Sequence, residues 1–178
     1  MSDFPEPTFS FILDEYGWAK LIIIVDGERH TIDRVSYLTD VLDELLFAGL
    51  KLSVGWSESK VHIDHEGWDT DLLFRGEWIE RSDDAPQEDG RHADLRCRIE
   101  TIVSASQKTE TLFSYLIRNP DVVARALLRC GQEVWNRYGA EEYDRLWISG
   151  GFPIRALGAL KAALDVEPFV GHRDRVPD

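Results

Sequence analysis

The tract His62-Ile63-Asp64-His65-Glu66-Gly67-Trp68-Asp69-Thr70-Asp71 holds the densest set of acid-base and metal-ligating side chains in the sequence. Successive side chains of a strand point to opposite faces, so His62, Asp64 and Glu66 would share one side. An imidazole and two carboxylates placed that way could bind zinc or another divalent ion, or serve a metal-dependent hydrolase. The spacing matches no established metal motif, and carboxylates at this density also line ordinary solvated hairpins. The balance favours the solvated hairpin, so no metal and no cofactor is expected. The sequence has no Gly-x-Ser-x-Gly elbow, no Walker loop with its Lys and no His-Glu-x-x-His helix. Ser149-Gly150-Gly151, followed by Phe152-Pro153, reads as a helix break rather than a phosphate cradle. No residue is assigned a catalytic role.

The carboxylates of this tract belong to a larger imbalance. Residues 1–90 carry 21 Asp and Glu against 7 Lys and Arg, whereas residues 91–178 carry 12 against 13, which together give the net charge of −13. A negative field attracts basic partners and repels nucleic acid and anionic membranes, so neither of the latter is expected as a partner. Trp56, Trp68 and Trp78 lie in the acidic half among polar neighbours, where an aromatic side chain suits a protein interface or closes a hairpin end. Trp18, Trp135 and Trp147 fall on apolar stripes and are expected in the core. The leading expectation is a non-enzymatic binding protein whose acidic face, with Asp43, Glu44, Trp56, Trp68, Asp69 and Asp71, engages a basic protein. Two others stand beside it: a small-molecule binder or hydrolase using the His62 to Asp71 tract, and a homodimer joined through exposed tryptophans.

Elements must hold these residues in place. Alternation in Phe9, Phe11 and Leu13, the apolar run Trp18 to Val25, and Asp26-Gly27 as a tight turn predict a three-strand meander ending near Ile32. Ser36 is expected to cap a helix running to about Leu52, with Leu38, Leu42, Leu45 and Leu52 on its buried stripe and Gly55 closing it. Lys60 to Asp64 and Trp68 to Phe74 read as a hairpin, residues 76–94 as a mobile acidic loop, and Leu95 to Val103 as a further strand. From Lys108 the spacing of Leu112, Tyr115 and Leu116 predicts a helix. Asn119-Pro120 starts another, Gly139 stops it, and Pro153 opens a last one, with residues 167–178 as a loose tail. The fold class is therefore α+β: one domain over 1–178, with an antiparallel sheet of about six strands, one inserted helix and a C-terminal helical cluster on one face. Cys97 and Cys130 sit in apolar patterns and are expected as reduced, buried thiols, which, with no leader-like or spanning apolar run, suits a soluble cytoplasmic chain.

Three stretches carry a resemblance: Ser36-Tyr-Leu-Thr-Asp-Val-Leu-Asp-Glu-Leu-Leu, Asp71-Leu-Leu-Phe-Arg75, and Tyr138-Gly-Ala-Glu-Glu-Tyr-Asp-Arg-Leu-Trp with Gly151-Phe-Pro-Ile-Arg-Ala-Leu. Through them the chain resembles a loose group of small bacterial proteins with a sheet, a Tyr-Leu-Thr-Asp helix and a Phe-Pro helix start. The resemblance implies a single bacterial domain and transfers no catalytic residue. Acidic α+β proteins of this size are also similar, in size and charge, to immunity partners of bacterial toxins.

Overall fold

In a computed structural model, residues 6–80, 93–105, 108–117, 119–148 and 150–165 are described. The chain begins with a meander of three antiparallel strands, β1 (Thr8–Leu13), β2 (Trp18–Val25) and β3 (Glu28–Ser36), in that spatial order. The β2–β3 turn forms as the sequence predicts: Asp26 and Gly27 both take positive φ, at 53° and 77°, which a two-residue hairpin requires. Phe9, Phe11, Leu21, Ile23, Ile32 and Val35 line the face turned to the core.

The helix that follows, α1 (Val41–Ser53), starts later than expected, with Asp40 at its N-cap. Ser36 instead ends β3 opposite Trp18, and its hydroxyl accepts the Leu38 amide at 3.3 Å. A serine that closes a local turn in this way competes with capping, which displaces the helix start to Asp40. Leu38, expected on the buried stripe, is consequently exposed in the turn. Leu42, Leu45, Leu46 and Leu52 are buried as their spacing requires, and Gly55, at φ 83°, follows the last turn.

A second antiparallel sheet holds β4 (Glu58–Asp64), β5 (Asp69–Glu80), β6 (Ala93–Ala105) and β7 (Lys108–Ile117), in that order. The α+β class therefore stands, with two sheets of three and four strands in place of one six-stranded sheet. Two local expectations are overturned. Gly76 to Glu80 and Ala93 to Asp94 belong to strands, not to the loop assigned to 76–94, because β5 and β6 pair from Asp69↔Ser104 to Glu80↔Ala93. Residues 81–92, like the tail at 167–178, lie outside the described residues. The helix predicted around Leu112 is strand β7: Phe113 and Ile117 are buried at alternate positions while Leu112 is exposed. The segment fits both periods, and pairing with β6, Thr101↔Phe113 and Ile99↔Tyr115, selects the extended one.

Asn119 caps α2 (Pro120–Leu146), its side chain accepting the Asp121 amide at 2.9 Å. Gly139, at φ 64°, breaks that helix. Pro153 leads into α3 (Ile154–Asp165). The three helices pack on one another, α1 against β4 and α2 against β1, and one hydrophobic cluster joins them to both sheets. Phe9 meets Phe74 across the two sheets, with ring centroids 6.1 Å apart. Cys97 and Cys130 are free and buried, and burial pushes both thiols up to about 12. Among the described residues no helix is long and apolar enough to cross a membrane.

Candidate functional site

Three clusters of polar and aromatic side chains emerge, and the sequence anticipates only parts of each. The first is the His62 to Asp71 hairpin. The β4–β5 register sets His62 opposite Asp71 and Asp64 opposite Asp69 on the outer face of the second sheet. His62 Nδ1 lies 2.9 Å from Asp71 Oδ1, its Nε2 lies 3.8 Å from Asp69 Oδ1, and Lys60 Nζ reaches Asp71 Oδ2 at 3.3 Å. Glu66, expected to share the face of His62 and Asp64, turns off the strand at φ 57°. There its amide donates to Asp64 Oδ1, and its carboxylate accepts from the Ser36 hydroxyl at 3.4 Å. Among the described residues no three His, Cys, Asp or Glu side chains are arranged to hold a metal ion. Further along the same face, Arg75 bridges Glu58 and Glu100, and Arg98 pairs with Glu77. The hydrogen bond from Arg98 holds Glu77 below the usual carboxylate range. Asp71, Glu58, Glu77 and Glu100 on this face thus already have a Lys or Arg partner.

His65 was not singled out from the sequence. It is almost fully buried, stacks on Trp68 at 3.5 Å between centroids, and places Nδ1 2.9 Å from the Arg34 carbonyl and Nε2 2.9 Å from Thr70 Oγ1. A carbonyl only accepts, so Nδ1 carries the proton and Nε2 accepts from the threonine. Burial holds its pKa below the ordinary imidazole value, which favours this neutral tautomer. Trp68 therefore has one ring face covered. Its other surroundings border a cleft of about 210 Å³ between His30 to Arg34 of β3 and Thr70, Val103 and Leu112 of the second sheet.

The second cluster runs along α1. Glu44 Oε2 accepts the His62 amide at 2.7 Å, so this acid secures the free edge of β4. Asp43, Phe47 and Lys51 follow at four-residue intervals on the outward side. Lys51 Nζ stands 5.7 Å from the Phe47 ring and 5.4 Å from that of Trp56. Phe47 is 50% and Trp56 60% exposed. Phe47 is an unanticipated member, although its spacing from Asp43 and Lys51 places it opposite the leucine stripe. Trp78, on the extended part of β5, is also exposed. Among the tryptophans expected in the core, Trp147 is fully buried, Trp18 is half-buried under Arg34, and Trp135 is 39% exposed against Phe152.

The third cluster joins segments a hundred residues apart. Asp40 Oδ1, the Tyr143 hydroxyl and Trp147 Nε1 are buried and have no hydrogen-bond partner among the described residues. A Cβ on Gly150 would lie 3.7 Å from Asp40 Oδ2, and one on Gly151 3.7 Å from Asp144 Oδ1, so two adjacent loop residues run close to the N-cap acid of α1 and an acid of α2. Asp144 Oδ1 accepts the Phe152 amide at 3.2 Å. Burial, with repulsion from Asp43 and Glu44, pushes Asp40 above the usual carboxylate range, and the nearby Asp43 amide opposes the shift. Burial chiefly, then Asp40, Asp43 and Asp144, raises the pKa of the Tyr143 phenol. No cation among the described residues lies within ion-pair distance of Asp40, Asp43 or Asp144.

In comparisons with known proteins, no family model, no curated protein and no solved structure matches the chain.

Proposed function

We propose that the chain is a non-enzymatic binding protein of the cytoplasm that engages a basic protein through its acidic side, as an immunity protein masks a toxin. The observation that carries this reading is the outward side of α1, where the half-exposed rings of Phe47 and Trp56 meet over Lys51 and Asp43, one turn before Phe47, pairs with no cation among the described residues. Exposed aromatics with a carboxylate nearby suit a protein interface: the rings supply buried area, and the charge steers encounter and selects the partner. Asp43 and Trp56 make direct contacts in this reading. Glu44, Trp68, Asp69 and Asp71, each engaged within the chain, contribute field and support.

The test is capture of a partner from the source lysate at low salt, followed by affinity measurements with the purified partner. Affinity should fall steeply as salt is added. Trp56→Ala should weaken it by about tenfold or more, the scale of one interface anchor. A partner whose affinity ignored both salt and these side chains would overturn the reading.

A further inference from the structure

We infer that the cluster of Asp40, Asp43, Asp144 and Tyr143 is the seat for a cationic side chain of the basic partner, an arginine guanidinium by its shape. The inference rests on the function proposed above and names the chemistry it would take at this end of α1. Three observations lead to it. On the hairpin face Lys60 pairs with Asp71, Arg75 with Glu58 and Glu100, and Arg98 with Glu77, whereas Asp40, Asp43 and Asp144 meet no cation among the described residues. The Tyr143 side chain is fully buried, and its hydroxyl, within the field of these three acids, has no hydrogen-bond partner among the described residues. Gly150 and Gly151 are both exposed, and a Cβ added to either would stand 3.7 Å from Asp40 Oδ2 or Asp144 Oδ1, which places the two acids beside an exposed loop.

A buried hydroxyl without a partner is costly, and a carboxylate taken out of water more so, unless a donor arrives. A guanidinium carries five N–H donors and no acceptor in a planar fork, so it can bridge two separated carboxylates and still donate to a phenol oxygen. The start of α1 opposes positive charge with about half a unit, which three formal negative charges outweigh. The C-terminal end of α2, where Asp144 sits, carries partial negative charge and acts in the same direction as the acids.

The experiment is an NMR titration of the whole, isotopically labelled chain with N-acetyl-argininamide, with neutral N-acetyl-citrullinamide as its control. Saturable shifts are expected at the Trp147 indole N–H, one helical turn from Tyr143, and at the Gly150 and Gly151 amides. Asp40→Asn and Tyr143→Phe each preserve side-chain shape and should weaken binding about tenfold, the scale of one hydrogen bond to a charged group. Glu110→Gln, on the remote strand β7, should leave it unchanged. Shifts no larger than those from the citrulline compound, or wild-type affinity in both variants, would overturn the inference. The two readings fail separately. A partner that still binds in a manner dependent on salt and Trp56 while the titration is silent removes the cation seat alone. A saturable titration with a partner indifferent to Trp56→Ala removes the aromatic docking side alone.

Discussion

At the scale of single residues, this protein buries polar groups where local rules would keep them wet. Asp40 has its pKa raised by desolvation, so the folded chain takes up that proton more readily than the unfolded one. Stability from the neutral carboxyl is present at low pH and is lost as pH rises through the raised value. Asp40→Asn should therefore increase the melting temperature at neutral pH and not at acid pH, while weakening cation binding. Calorimetry at the two pH values checks it. Tyr143→Phe removes an unpartnered hydroxyl and should stabilise by about 1 kcal/mol in urea melts, whereas a loss of that size would mean the hydroxyl is satisfied in solution. The histidines act in the opposite direction to Asp40. Desolvation lowers both His30 and His65 from 6.5. Their contribution is complete above that value and declines as pH falls through it, by at most about 1.4 kcal/mol per pH unit for each residue. His65→Gln should flatten the pH dependence of stability in that window; an unchanged slope would refute the assignment.

At the scale of elements, two glycines separate backbone strain from packing. Gly27 takes φ 77° with nothing within 4 Å of an added Cβ, so Gly27→Ala carries the conformational penalty alone, about 1 kcal/mol. Gly17 takes φ 80° and a Cβ there would stand 2.6 Å from Tyr37 Cδ1. Gly17→Ala should accordingly cost more than Gly27→Ala, by roughly 1 to 3 kcal/mol of overpacking, and equal losses in denaturant melts would contradict the close approach. The same scale holds the plainest disagreement between pattern and structure. Leu112, Tyr115 and Leu116 satisfy a helical period, yet Phe113, Tyr115 and Ile117 satisfy a strand period on the same ten residues. Only the presence of β6 alongside makes the second arrangement the one that buries Phe113 and closes the sheet.

At the scale of the whole molecule, the excess of 21 acids over 7 bases in residues 1–90 is not spread evenly over the surface. On the outer face of the second sheet Arg75 and Arg98 pair with Glu58, Glu100 and Glu77, while Asp40, Asp43 and Asp144 are among the acids that meet no cation among the described residues. Exposed ion pairs of this type contribute little, so Arg98→Ala should cost under about 1 kcal/mol, with the cost shrinking as salt is added. The unaltered protein should respond in the reverse sense, its melting temperature rising with salt as self-repulsion is screened. Melts across a salt series distinguish the two; a wild-type protein that loses stability in salt would place the balance of charge in attraction.

What the sequence determined by itself is local. Asp26-Gly27 specifies a hairpin because few other pairs adopt two consecutive positive φ values, Asn119-Pro120 starts a helix, and Gly139 stops one. Leu42, Leu45 and Leu52 define a buried stripe, and the apolar settings of Cys97 and Cys130 foretell inert thiols. Each is settled within a few residues by backbone sterics, capping or periodicity. Tertiary structure alone decided the division into two sheets, the strand at Lys108–Ile117, the stacking of His65 on Trp68 and the meeting of Asp40 with Tyr143. These depend on neighbours far apart in the chain, and no local period records that an acid before one helix will lie beside a phenol at the end of another. The acidic tract was legible as charge, but which carboxylates lack a cation was not, because pairing is set by strand register and helix placement.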